Sequence, residues 1–74
     1  MALGERIKRL RQRKVLSQAE LAKAAGISAN TLYRIEVGQH EARPATLRKL
    51  AGALGVTPEE LVAPVMDQAE GRAN

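Results

Sequence analysis

Apolar residues fall along this chain in five short helical stripes, each opened and closed by recognisable punctuation. Leu3, Ile7 and Leu10 recur at i, i+4 and i+7, which predicts an amphipathic helix over about 2–13. Arg6, Lys8 and Arg9 lie between them and Arg11 follows, so the outer face of that helix is strongly basic. Ser17-Gln-Ala-Glu20 has the spacing of a capping box, with Leu16 and Leu21 as its hydrophobic staple. A second helix therefore spans about 18–25 and stops at Gly26. Ser28 opens a third, with Ile27 and Leu32 as its staple, and this one runs to about Val37 before Gly38.

A polar loop, Gln39 to Ala42, precedes Pro44, which suits the first position of a fourth helix. Leu47, Leu50, Ala51 and Leu54 mark its buried face and Gly55 ends it. Gly52 inside this helix costs about 1 kcal/mol relative to alanine, so it is expected to mark a close approach between helices. Thr57-Pro-Glu-Glu60, with Val56 and Leu61 as staple, starts a short fifth helix that Pro64 limits. The expected core is Leu3, Ile7, Leu10, Leu16, Leu21, Ala22, Ala25, Ile27, Leu32, Ile35, Leu47, Leu50, Ala51, Leu54, Val56 and Leu61. The expected organisation is one domain over residues 1–66 and a polar, frayed tail over 67–74.

Composition narrows the picture. A chain of 74 residues makes one domain and buries only roughly 60% of its unfolded surface. It has no cysteine and one histidine, His40, which excludes zinc and disulfide staples. Tyr33 is the only aromatic residue. Leucine, isoleucine, valine and alanine must then form the core, and the fold class is all-α. No apolar run approaches the ~20 residues of a membrane span, and the first residues carry no signal-peptide core. A cytoplasmic protein is expected.

Charge is unevenly divided. Residues 1–49 carry eleven Lys/Arg against Glu5, Glu20, Glu36 and Glu41, a net of +7. Residues 50–74 carry Arg72 against Glu59, Glu60, Asp67 and Glu70, a net of −3, and the two sum to the overall +4. A basic body of this kind suits a polyanionic partner through counterion release. Catalysis finds no support: there is no nucleophile–base arrangement, phosphate-cradling loop or metal-ligand cluster. No enzyme activity, metal or cofactor is expected, and His40 reads as a loop residue.

Two short helices joined by a tight turn containing glycine form a helix-turn-helix. The stretch Ser17-Gln-Ala-Glu-Leu-Ala-Lys-Ala-Ala-Gly26-Ile-Ser-Ala-Asn-Thr-Leu-Tyr-Arg-Ile-Glu36-Val-Gly38 resembles that of the phage-repressor (Cro/CI, XRE) family, and Thr46 to Val56 resembles the family's fourth helix. The likeness covers roughly residues 3–63. It implies a five-helix, lambda-repressor-like domain that binds double-stranded operator DNA, usually as a homodimer on a palindrome. It also implies a transcriptional repressor of bacterial or phage origin acting at the nucleoid.

The residues agree with that implication. With Leu32 and Ile35 turned inward, the third helix presents Ala29, Asn30, Tyr33, Arg34 and Val37 outward. Asn30 can pair with adenine and Arg34 with guanine in the major groove. Ala29 is small enough to touch a thymine methyl, Ser28 and Thr31 can donate to bases or phosphate, and Tyr33 can lie along a sugar. Gln18, at the start of the second helix, is expected to hold a phosphate with the free backbone N–H groups there, joined by Ser17. In the family the matching glutamine also braces the recognition helix. Beyond that helix, Gln39, His40 and Arg43 are the candidates for the other phosphate track. This loop departs from the family in carrying Glu41 and in placing Arg43 at the helix cap. By the resemblance, Arg11 and Glu36 form a structural ion pair, with Arg11 still close to a phosphate. The expected self-association surface is the fifth helix with Val62, Val65 and Met66. The alternative function is an antitoxin-type protein that binds a partner toxin, through the acidic stretch 64–74, as well as its own operator.

Overall fold

The computed structural model describes residues 2–62. Its helices are α1 (Leu3–Arg13), α2 (Gln18–Ala25), α3 (Ala29–Glu36) and α4 (Pro44–Leu54). A fifth, α5, begins at 58 and continues to 62, the last described residue. The described residues contain no strand. The expected five-helix all-α domain is the observed one. The tail 67–74, Pro64, Val65 and Met66 lie outside the described residues.

Each start is built as its sequence dictates. The Ser17 hydroxyl accepts from the Glu20 backbone N–H at 3.0 Å and the Glu20 carboxylate accepts from the Ser17 N–H at 2.8 Å, a closed capping box. Ser28 caps α3 through the Thr31 backbone N–H. Thr57 and Glu60 repeat the reciprocal pattern ahead of α5. Gly26 takes the left-handed conformation, φ +72°, that turns the chain from α2 into α3 within three residues.

α1 ends at Arg13, as its apolar stripe predicts, but the turn that follows carries no sign in the sequence. Leu16 N–H reaches back to the Arg11 carbonyl and Val15 takes φ +56°, so valine holds a position that usually belongs to glycine. A left-handed β-branched residue costs roughly 1–2 kcal/mol, and Val15, 87% exposed, recovers little of this by packing. Val15→Gly is therefore expected to stabilise the domain by about 0.5–1 kcal/mol, after allowing for glycine's greater unfolded-state entropy. A melting temperature that fails to rise would remove the argument for strain.

Ile7, Leu21, Leu32, Leu50, Leu54 and Leu61 are completely enclosed, and between them represent all five helices. Leu3, Leu10, Leu16, Ile27, Leu47 and Val56, expected as core, form a half-buried rim around it. Three of these, Leu16, Ile27 and Val56, are the staple residues that precede helix caps, so one side of each remains at the surface. α2 packs on both α3 and α4, and α1 packs on α3.

Gly52 does not mark a close approach. It is exposed on the outer side of α4, and a Cβ built there meets nothing within 4 Å. It stands two residues, roughly 200° of helical turn, from the buried Leu50. The close approach is at Gly4, where a Cβ would stand 2.4 Å from the Ile35 carbonyl oxygen and 2.5 Å from that of Glu36.

Candidate nucleic-acid interface

Three helices converge on one buried carboxylate. Arg11 of α1 donates from Nε to Glu36 Oε2 at 2.8 Å and from Nη2 to Glu36 Oε1 at 3.1 Å. Its remaining nitrogen, Nη1, donates to the Leu16 carbonyl at 2.8 Å, closing the α1–α2 turn. Gln18, the first residue of α2, donates from Nε2 to Glu36 Oε1 at 3.0 Å. Glu36 is the last residue of α3 and its side chain is 1% exposed. The expected Arg11–Glu36 pair is present, and it is the only ion pair among the described residues. Because both charges are buried, hydrogen-bonded and bidentate, the pair fixes geometry in a way that an exposed pair cannot.

Gln18 completes this network. Its amide N–H₂ turns inward to Glu36, while the backbone N–H groups of Gln18 and Ala19, in the first turn of α2, precede the intrahelical ladder and point out of the helix end. The expected brace between Gln18 and the recognition helix is thus a direct hydrogen bond. Ser17 stays exposed, with its hydroxyl lone pair committed to the cap.

The outward side of α3 divides into two groups. Ser28 and Thr31 are tied to each other, the Ser28 hydroxyl donating to Thr31 Oγ1 at 2.7 Å. Asn30, Tyr33 and Arg34 are exposed, and no side-chain hydrogen bond or ion pair engages them among the described residues. Asn30 and Arg34 stand one turn apart, diametrically opposite the buried Leu32 and Ile35. Ala29, beside them at the helix start, is exposed as well. Val37, half exposed, extends the same crest one turn beyond Arg34. Sequence spacing puts it there too, but its apolar side chain suggested no role. Tyr33, 47% exposed, lies on the flank towards Glu36.

After α3, Gly38 at φ +82° and the bond from Gln39 N–H to the Arg34 carbonyl, 2.9 Å, turn the chain outward. Gln39, His40 and Glu41 follow as an exposed loop, and Arg43 occupies the α4 cap position with no capping bond from its side chain. The N-terminus of α2, tied to Glu36 through Gln18, and the loop that carries Arg43 both adjoin the C-terminal end of α3, beyond Arg34. No group of three or more potential metal-ligating side chains occurs among the described residues.

A five-helix domain whose second and third helices form a braced helix-turn-helix, with the outward strip of α3 left bare, is the class of protein that this geometry defines. Residues 7–61 match the family described as helix-turn-helix, and the chain belongs to it. The immunity repressor protein of Bacillus phage phi105 is 37% identical over 62 residues, covering 84% of this chain and 43% of that protein. The chain spans under half the length of the first three curated relatives that it matches, 43%, 46% and 44%. Among solved structures, the DNA-binding domain of the P22 c2 repressor aligns with a TM-score of 0.80 at 31% identity, covering 84% of this chain and 82% of that one. SinR, a master regulator for biofilm formation solved in complex with DNA, aligns with a TM-score of 0.77 at 33% identity, covering 81% and 97%.

Proposed function

We propose that this chain is a sequence-specific double-stranded DNA-binding transcriptional regulator, acting as a repressor, that lays α3 in the major groove. The observation that carries this reading is the pair Asn30 and Arg34: exposed, unengaged, and held in register by the Arg11–Glu36–Gln18 network. Four residues of helix rise roughly 6 Å, so the two side chains reach neighbouring base pairs. Asn30 pairs with adenine N6/N7 and Arg34 with guanine O6/N7. Ala29 and Tyr33 contact the groove wall, while Ser28 and Thr31 serve first as the cap that sets the entry angle.

One phosphate sits on the backbone N–H groups of Gln18 and Ala19, at the positive end of α2. The Gln18 amide acts through Glu36, aligning α2 with α3 rather than gripping the phosphate itself. Ser17 and the Arg11 charge lie alongside. Arg43, with Gln39 and His40, meets the opposite phosphate track, and Glu41 turns away from it. Relatives named as phage and bacterial repressors support a bacterial or phage operator as the target.

Selection of bound sequences from random duplex DNA tests the reading. Wild type is expected to yield a defined half-site, and Arg34→Ala to relax preference at one base pair by about 1–3 kcal/mol, roughly 5- to 150-fold. Uniform weakening across all sequences would instead make Arg34 a phosphate contact and refute its reading role.

Two copies pair through α4 and α5. Pro44, Leu47, Pro58 and Val62 line an apolar groove between α4 and α5, the surface on which a homodimer forms. Half-sites would then repeat at about 34 Å, one DNA turn. Sedimentation that finds only monomer at high micromolar concentration counts against the dimer.

A further inference from the structure

α1 carries six cations, Arg6, Lys8, Arg9, Arg11, Arg13 and Lys14 counting its cap, and the reading surface uses only Arg11. No ion pair holds the other five among the described residues. Arg9 and Arg13 stand at i and i+4, and Arg6 and Arg9 at i and i+3, spacings at which like charges repel along a helix. A partner of opposite charge is what offsets that repulsion.

The placement of these charges decides where such a partner sits. Gly4 marks the side of α1 that touches α3. At 100° per residue, Arg6, Arg9 and Arg13 lie roughly 140–180° around the helix from Gly4. They therefore face away from the reading helix. Arg9 and Arg13 are exposed. Arg6 is half-buried, and its Nε is enclosed without any hydrogen-bond partner among the described residues. An atom so enclosed is out of reach from outside, so an external acceptor would meet Nη1 and Nη2 of Arg6.

The chain's own carboxylates are poor candidates for that acceptor. Of the six in the described residues, Glu36 is taken by Arg11 and Gln18, and Glu20 and Glu60 by helix caps. Glu41 and Glu59 lie on other elements, and only Glu5, one turn before Arg9 on α1, borders the row, one carboxylate against three guanidinium groups. A second copy of this region cannot neutralise the row, whereas a dense polyanion can. From Arg6 to Arg13 is roughly 10 Å of helix, which spans about three phosphates of one duplex strand.

We propose that the Arg6–Arg9–Arg13 row of α1 is a second duplex-DNA surface, indifferent to sequence, which lets one protomer hold a further DNA segment while α3 reads its own. This rests on the reading role of α3 for the first duplex, and the two are separable by experiment. The 74-residue chain, tethered by its C-terminus, is titrated with a short duplex that carries the selected half-site. The expected result is two classes of site. One is sequence-dependent and weakened by Arg34→Ala. The other is sequence-independent, weakened tenfold or more by Arg9→Gln/Arg13→Gln, and falls roughly 40-fold between 50 and 200 mM salt, as three phosphate contacts require.

Both α1 substitutions are at exposed positions, and an unchanged melting temperature checks the fold; Arg6, half-buried, is left in place. A single class weakened by both sets of substitutions overturns the proposal, because the row would then lie along the duplex that α3 reads. A second class that persists in Arg9→Gln/Arg13→Gln also overturns it. So does tighter binding of polyglutamate than of duplex, which would assign the row to an acidic protein. Loss of the Arg34-sensitive class alone counts against the reading helix and leaves the α1 class standing.

Discussion

Arg11→Ala is expected to destabilise the domain by about 3–5 kcal/mol, the cost of leaving a buried carboxylate without its counter-charge. Small domains of this kind have only about 5–15 kcal/mol in hand, so a large part of the stability disappears. The substitution removes two charge-assisted bonds to Glu36 and the bond that closes the α1–α2 turn on the Leu16 carbonyl. Glu36 is left with the Gln18 amide as its only donor among the described residues. DNA binding should weaken even under conditions where the variant is folded, because the N-terminus of α2 and the end of α3 lose their common anchor. Urea unfolding monitored by circular dichroism gives the first number and fluorescence anisotropy with a selected duplex the second.

A double replacement separates the charge from the packing. Arg11→Met/Glu36→Leu fills similar volume with no ion to desolvate, and such exchanges are often neutral or stabilising. It should recover most of the lost stability yet not the DNA affinity, since Glu36→Leu removes the acceptor of the Gln18 amide. If Arg11→Ala unfolds at the same urea concentration as wild type, the pair is ornamental and the network does not hold the fold.

The network also shows where sequence reading stops. Caps were legible because each is a contact between residues three positions apart: Ser17 with Glu20, Ser28 with Thr31, Thr57 with Glu60. The Arg11–Glu36 pair, 25 residues apart, came only from the resemblance to phage repressors. The family also suggested that Gln18 braces the recognition helix. That its amide turns to Glu36, 18 residues away, while its backbone N–H is left for a phosphate, is a tertiary fact with no local trace. On α3 the outward residues followed from helical phase once Leu32 and Ile35 were inward. What phase cannot say is that Ser28 and Thr31 spend their hydroxyls on each other while Asn30 and Arg34 stay free. Val15 escaped because nothing in the letters Lys-Val-Leu marks a left-handed residue. Only the closure of α1 onto the start of α2 imposes it.

The glycines make the same point with a sign attached. In a sequence, Gly4 and Gly52 are both weak points in a helix, each about 1 kcal/mol worse than alanine. Gly52→Ala is expected to stabilise by about that amount, because its Cβ would enter open space on the exposed side of α4. Gly4→Ala is expected to destabilise by about 2–3 kcal/mol despite the better propensity. The new Cβ would stand 2.4 Å and 2.5 Å from the carbonyl oxygens of Ile35 and Glu36, and neither backbone group can swing aside as a side-chain end would. α1 must lift away from the end of α3, at overpacking costs of this order. Lifting α1 also stretches the Arg11–Glu36 bonds, so Gly4→Ala and Arg11→Ala should be less than additive when combined. For a domain of this size the two alanines should move the melting temperature in opposite directions, by roughly +4 to +8 °C at 52 and −8 to −24 °C at 4. Thermal unfolding of the two single variants side by side is the measurement. A Gly4→Ala protein as stable as wild type would mean that α1 does not rest on α3 through this glycine.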